Sequence, residues 1–133
     1  MDFREIIASH PDVQGSTADR LIACIHECLH CAQACRVCAD ACAAEPMAYD
    51  LRQCIRLDQD CADICLATWS LGARRTGRNA ELLHRLIELC AEACRLCAEE
   101  CERHAGMHEH CRLCAEACRS CEAACRAALP EVH

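Results

Sequence analysis

Aromatic residues are nearly missing from this 133-residue chain, which has only Phe3, Tyr49 and Trp69. A conventional core of this size draws on more of them, because each ring fills a large volume. The interior must therefore be lined by small side chains. Glycine and proline are scarce too, four and three residues, which excludes a loop-rich scaffold. No apolar run approaches the roughly 20 residues that span a bilayer. The opening MDFREIIASHPDVQG carries acids early and lacks the basic start and long apolar stretch of a secretory signal. These two absences point to the cytoplasm, where thiols stay reduced. Positive charge is also in deficit. The formal net charge of −7 argues against nucleic acid and anionic membranes as partners. No Ser/His/Asp or Cys/His catalytic arrangement and no glycine-rich phosphate loop stands out, so the chain does not read as an enzyme.

Cysteine is what the chain has in abundance. Its 18 cysteines are about 14% of the residues, above the roughly 8–10% that marks a disulfide scaffold. Their order is helical. Cys24, Cys28, Cys31, Cys35, Cys38 and Cys42 form one set, Cys54, Cys61 and Cys65 a second. Cys90, Cys94, Cys97 and Cys101 form a third, and Cys111, Cys114, Cys118, Cys121 and Cys125 a fourth. Steps of 3, 4 and 7 put each set on one face of a helix. Ala, Leu, Glu and Arg, all good helix formers, fill the intervals. Within one helix, Cβ atoms at i,i+3 or i,i+4 lie roughly 5–6 Å apart, whereas a disulfide wants about 3.5–4.5 Å. Bridges within one helix would therefore be strained, and cytosolic cysteine clusters read as metal sites first.

The pattern predicts an all-α protein. A short helix and loop occupy 1–15, and an antiparallel up-down-up-down four-helix bundle occupies 16–133 as a single domain. Ser16 or Thr17 caps the first long helix, which runs to about Ala44. Pro46 suits the first turn of the second, from about Met47 to Ala73. Asn79 caps the third, to about Ala105, and the fourth runs from Met107 to Leu129 and stops at Pro130. CRVCADAC, CRLCAEEC and CRLCAEAC are near-copies of one motif in the first, third and fourth helices. CIRLDQDCADIC is the degenerate copy in the second.

Every cysteine falls at a heptad a or d position, where a soluble bundle keeps its leucines. Antiparallel order assigns the other core positions to two ends. Leu21, Trp69, Leu83, Leu86, Ile87 and Leu129 make an apolar plug at one. Glu45, Met47, His104, Met107, His108 and His110 lie at the other, which reads as an open mouth. His104 continues the thiol face one step beyond Cys101 and is the first choice for a ligand there; a solvated helix end is the plainer reading. His108 and His110 lie close to the mouth but off the strict stripe. Met47 and Met107 carry thioethers, which bind soft metal but also fill gaps. Asp58 is the odd interior residue. It hydrogen-bonds across the bundle, supplies an oxygen ligand, or rolls outward to water, since a buried carboxylate needs a partner. His26, His30 and His84 point outward, and His10 and His133 sit in a loop and a tail.

Thiolate at this density calls for soft metal: Cu(I), zinc or iron–sulfur clusters. Zinc sites close on four ligands, and no cluster-type Cys-Pro pair occurs. CxxxC on a rigid helix suits an ion that takes two or three sulfurs, with thiolates shared from one ion to the next. Ionising all 18 thiols would add eighteen negative charges to the −7, and eighteen Cu⁺ would cancel them. Cysteine also behaves as a small buried hydrophobe, but packing alone has no preference so uniform. The helices preform such a site, so metal need not drive folding. Zinc buffering, thiol redox or oxidant scavenging, and metallochaperone transfer remain as alternatives, and Ag(I) would bind by the same chemistry.

The four cysteine stripes and CxxxC repeats, over about residues 17–129, resemble the bacterial copper storage proteins. The resemblance implies four-helix bundles whose cores fill with Cu(I), about one ion per cysteine, commonly assembled as tetramers. Absence of a signal segment and a histidine-bearing mouth resemble the family's cytosolic branch; the exported branch has a methionine-rich mouth. All 18 cysteines carry over, with His104 as the mouth residue. Asp58 is not part of the general pattern.

Overall fold

The computed structural model describes residues 2–13 and 17–132. A cap at Ser16 and a tail histidine at 133 lie outside them. The short helix α1 spans Phe3–Ala8, and the long helices are α2 Asp19–Ala44, α3 Arg52–Ala73, α4 Ala80–His104 and α5 Glu109–Ala128, with 3₁₀ turns at Ala48–Leu51 and Leu129–Glu131. Among the described residues, no helix is long and apolar enough to cross a membrane. α2 packs on α3 and α5, and α4 on α3 and α5, the neighbour pattern of the expected antiparallel bundle.

Four boundaries differ from the sequence reading, each for a local reason. α2 starts with Ala18 in the left-handed region, φ 55° and ψ 75°. Thr17 spends its hydroxyl on the Asp19 carboxylate (2.9 Å). The first free N–H groups of α2 go instead to the Glu131 carboxylate, with Arg20 at 3.1 Å and Leu21 at 3.2 Å, a distant side chain doing the work of a cap. At the next boundary, Pro46 opens a turn rather than a helix. A proline bars the α region to the residue before it, and Glu45 is extended at φ −70°, ψ 145°. Met47 to Leu51 are used to turn the chain, so α3 begins only at Arg52. Likewise Gly106 and Met107 belong to a turn closed by Met107 N–H to His104 C=O (3.1 Å), and α5 begins at Glu109 behind an extended His108. The 3₁₀ turn takes Pro130, which α5 precedes by one residue more than expected.

Every cysteine is at most 1% exposed. The apolar plug forms at the α2 start: Leu21, Ile22, Ile25, Ile87 and Val132 are buried, with Trp69, Leu83 and Leu129 packed against them. α1 closes over this end. Ile7 and Val13 join the core, and Phe3 meets Trp69 edge-on at 6.4 Å. Gly72 lets α3 approach α2 here: a Cβ at that position would lie 2.5 Å from Ile25 Cγ2.

The outside is held by arginine–carboxylate pairs. Arg36–Asp63 (3.0 Å) ties α2 to α3, and Arg119–Glu102 (2.9 Å) ties α5 to α4. Such exposed pairs contribute little each, about 0–1 kcal/mol. Burial of the thiol and alanine faces therefore carries the packing.

Candidate metal centre

Helix register converts the four stripes into layers of sulfur. Across α2 and α5, Cys24 meets Cys125 at 3.5 Å and Cys31 meets Cys118 at 3.7 Å. Across α3 and α4, Cys54 meets Cys101 at 3.6 Å, Cys61 meets Cys94 at 3.8 Å and Cys65 meets Cys90 at 3.7 Å. Along single helices, Cys31–Cys35, Cys38–Cys42 and Cys61–Cys65 are each 3.9 Å apart. All 18 are free thiols.

The sulfurs gather in fours, each group's atoms within 4.8 Å of one another. From plug to mouth, Cys28, Cys90, Cys121 and Cys125 form one group. Cys31, Cys65, Cys94 and Cys121 form the next, followed by Cys31, Cys35, Cys61 and Cys118. Cys35, Cys97, Cys114 and Cys118 come after these, and Cys38, Cys42, Cys54 and Cys111 lie nearest the mouth. The first four of these groups are linked by shared members: Cys121, then Cys31, then Cys35 and Cys118. A closed zinc site keeps its four ligands to itself. Overlapping groups instead offer bridging thiolates, one sulfur serving two ions. With a soft-metal–sulfur bond of roughly 2.3 Å, as for zinc, three sulfurs around an ion sit about 4.0 Å apart and two opposite ones about 4.6 Å. The observed spacing is thus nearer the three-sulfur arrangement than a strictly linear one.

Asp58 lies in the middle of this column and is fully buried, so it does not roll outward to water. Its carboxylate accepts from Cys97 (3.1 Å), Cys114 (3.4 Å) and Cys101 (3.5 Å), with Cys54 at 4.0 Å. Burial foremost, then the electrostatics of the neighbouring Cys114 and Cys54 sulfurs, pushes its carboxyl up to about 8. At the mouth, burial foremost and then Cys54 raise the thiols of Cys42 and Cys111, the latter to about 11.

The mouth residues separate into three kinds. His110 touches sulfur: its Nδ1 is 3.4 Å from Cys38, 3.6 Å from Cys111 and 3.9 Å from Cys42. His108 stacks on it, ring centres 5.5 Å apart, and its Nδ1 meets Glu45 Oε2 at 2.5 Å. His104 pairs with Glu100, Nε2 to Oε2 2.9 Å. Met47 and Met107 stand outside, 58% and 77% exposed. Helical register alone placed His104 on the thiol face. The structure presents His110, because the late start of α5 and the extended His108 turn the next residues inward. Glu100 escaped the sequence reading. It is buried, pairing with Arg103 and His104, and its only trace in sequence was an acid with partners at i+3 and i+4.

A column of bridgeable thiols closed at one end and edged by imidazole at the other defines a high-capacity soft-metal protein. Residues 17–130 match the copper storage protein family model, and the chain belongs to that family. It is similar to the copper storage protein Ccsp from Streptomyces lividans loaded with 10 copper equivalents, at 50% identity and TM-score 0.92, covering 96% of this chain and 98% of that one. A cytosolic copper storage protein from the same organism, carrying five coppers, is 54% identical with TM-score 0.84, over 87% of this chain and 97% of that one. Cu(I)-bound BsCsp3 is 37% identical with TM-score 0.68, over 78% and 92% of the two chains.

Proposed function

We propose that this protein stores Cu(I) in the cytosol, filling the thiol column to about one ion per cysteine. The observation that carries this reading is the overlap of the sulfur groups: shared thiolates let metal and sulfur match one to one, and monovalent copper then balances the charge. All 18 cysteines are the storage ligands. Asp58 holds the middle of the column by accepting thiol hydrogen bonds, and His110 is the imidazole placed to take copper at the mouth. His108 and His104 are held on Glu45 and Glu100. Met47 and Met107, on the turns flanking the mouth, are outer thioether contacts for arriving copper. The role is sequestration rather than catalysis.

An anaerobic Cu(I) titration of the reduced protein, followed by sulfur-to-copper ultraviolet absorbance and metal analysis after gel filtration, tests it. Saturation near 18 ions per chain, the number of cysteines, is the expected result. Saturation at a few ions would move zinc buffering or thiol redox to the front.

Self-association belongs to the same reading; family resemblance implies a tetramer. One face of the bundle supports it. Leu82, Leu89 and Leu96 recur every seven residues along α4 and are 52%, 52% and 42% exposed. They lie on the edge of α4 opposite to Glu102, which reaches α5. Leu57, Ile64 and Leu71 repeat with the same period on the facing edge of α3, half-buried. The thiol pairs Cys54–Cys101 and Cys61–Cys94 bring the two rows to matching levels. Two adjacent helices, each about 10 Å across, present a strip about 20 Å wide over about 25 Å of length, a patch of roughly 500 Å². Two such patches pair to about 1,000 Å², the lower bound for a specific interface. A second copy of this chain is the fitting occupant, because a strip with one repeat on both helices is self-complementary.

A further inference from the structure

We infer that Glu45 is the positioning residue for the mouth imidazole: it holds His110 so that Nδ1 carries the lone pair offered to copper. The inference rests on the storage reading above and adds to it a residue that is not itself a ligand.

The chain of causes begins in sequence. Glu45 precedes Pro46, and the proline ring confines it to extended backbone, as its φ −70° and ψ 145° record. The carboxylate therefore leaves the end of α2 instead of continuing its spiral, and it meets the α4–α5 turn across the mouth. There its Oε2 lies 2.5 Å from His108 Nδ1 and 3.6 Å from His110 Nε2. One carboxylate thus faces two stacked imidazoles whose centres are 5.5 Å apart.

His110 presents a specific problem. Its Nδ1 points at three sulfurs, Cys38, Cys111 and Cys42, while its buried Nε2 has no hydrogen-bond partner among the described residues. A neutral imidazole has one N–H and one lone pair, and the group on the far nitrogen decides which is which. With the N–H on Nε2, the lone pair faces the sulfurs, where copper arrives. With the N–H on Nδ1, the ring offers copper nothing. Glu45 Oε2 is the acceptor that favours the first arrangement. At 3.6 Å it is just beyond hydrogen-bond length, and a small rotation of either side chain closes the gap. Carboxylates behind metal-binding histidines act in this way, and losing one typically costs about 10–100-fold in metal affinity or activity. A negative charge at the C-terminal end of a helix is unfavourable by itself, so local helix stability gives no reason for a carboxylate here; the two imidazoles do.

The test measures the rate of Cu(I) uptake from a small thiol donor by stopped-flow ultraviolet absorbance, together with final capacity, for the wild type, Glu45→Ala, Glu45→Gln, His110→Ala and the Glu45→Ala/His110→Ala double variant. Glu45→Ala is expected to slow the first ions about tenfold and to leave capacity unchanged. Glu45→Gln, whose amide oxygen still accepts from Nε2–H, is expected to recover part of the loss. In the His110→Ala background, removing Glu45 should have no further effect on rate. Imidazole ¹⁵N shifts should put the His110 proton on Nε2 in the wild type and lose that preference in Glu45→Ala. Additive losses in the double variant, or a tautomer unchanged by Glu45→Ala, would overturn the inference and reduce Glu45 to a clasp between two turns. If the wild type itself fails to fill, the storage reading fails instead, and the two failures are told apart by that single control.

Discussion

Asp58 is a carboxyl group surrounded by thiols, and its position determines how the metal-free protein responds to pH. An ordinary aspartate titrates near 3.8, and burial raises Asp58 to about 8. A carboxyl raised on folding binds its proton more tightly in the native state. Its contribution is therefore fully present below the unfolded pKa and is lost as pH rises through the folded one. The metal-free protein should melt at a higher temperature at pH 5 than at pH 7.5, and Asp58→Asn should flatten that slope, because an amide does not titrate. Thermal unfolding followed by circular dichroism in both buffers checks this; an equal slope in the variant would assign the pH dependence to other groups. Sequence register could place Asp58 among the cysteines but could not choose between water, a ligand role and hydrogen bonding. The neighbours from α4 and α5 seal it from water and supply its thiol donors, and Cys97, Cys101 and Cys114 come from 39 to 56 residues away in the chain.

At the scale of elements, the helices follow from period and composition, while their ends follow from contacts. The cysteine stripes predict all four long helices and their antiparallel order. They do not predict that Glu131 would serve the start of α2 from the far end of the chain, or that five residues after Pro46 would be used before α3 begins. The close approach of α2 and α3 is of the second kind as well. Gly72 in an otherwise regular helix costs about 0.5–1 kcal/mol relative to alanine by propensity. That would favour Gly72→Ala, yet the added methyl would sit 2.5 Å from Ile25 Cγ2. Overpacking of this sort typically costs about 1–3 kcal/mol, so steric conflict outweighs propensity. Gly72→Ala should lower stability in denaturant unfolding, and Ile25→Val, which lacks the terminal carbon but keeps Cγ atoms, should recover little; Ile25→Ala should recover more when combined with it than it costs alone. A more stable Gly72→Ala protein would mean that the helices part freely at this point.

For the whole molecule, the distribution of surface side chains separates one face from the others. Arg36–Asp63 and Arg119–Glu102 staple the α2/α3 and α4/α5 seams with charge. The α3/α4 seam carries leucine rows instead, and the proposal that a second copy docks there is tested at that face. Leu89→Glu, at the centre of the rows and 52% exposed, should shift the protein to smaller species in size-exclusion chromatography with light scattering. Copper capacity per chain should not change, because Leu89 lies outside the thiol column. An unaltered oligomer would direct attention to another face.

The interior is legible in the chain alone: all-helical, small-residued and lined with 18 thiols. Helical period is a local property, and each stripe carries its own register. Tertiary structure alone decided how sulfurs from different helices share groups, that Asp58 is sealed, and that His110 rather than His104 faces the thiols. Those outcomes depend on turn geometry and on helix-to-helix rotation. A one-residue change in where α5 begins turns each of its side chains by about 100°, and no single helix's pattern contains that information.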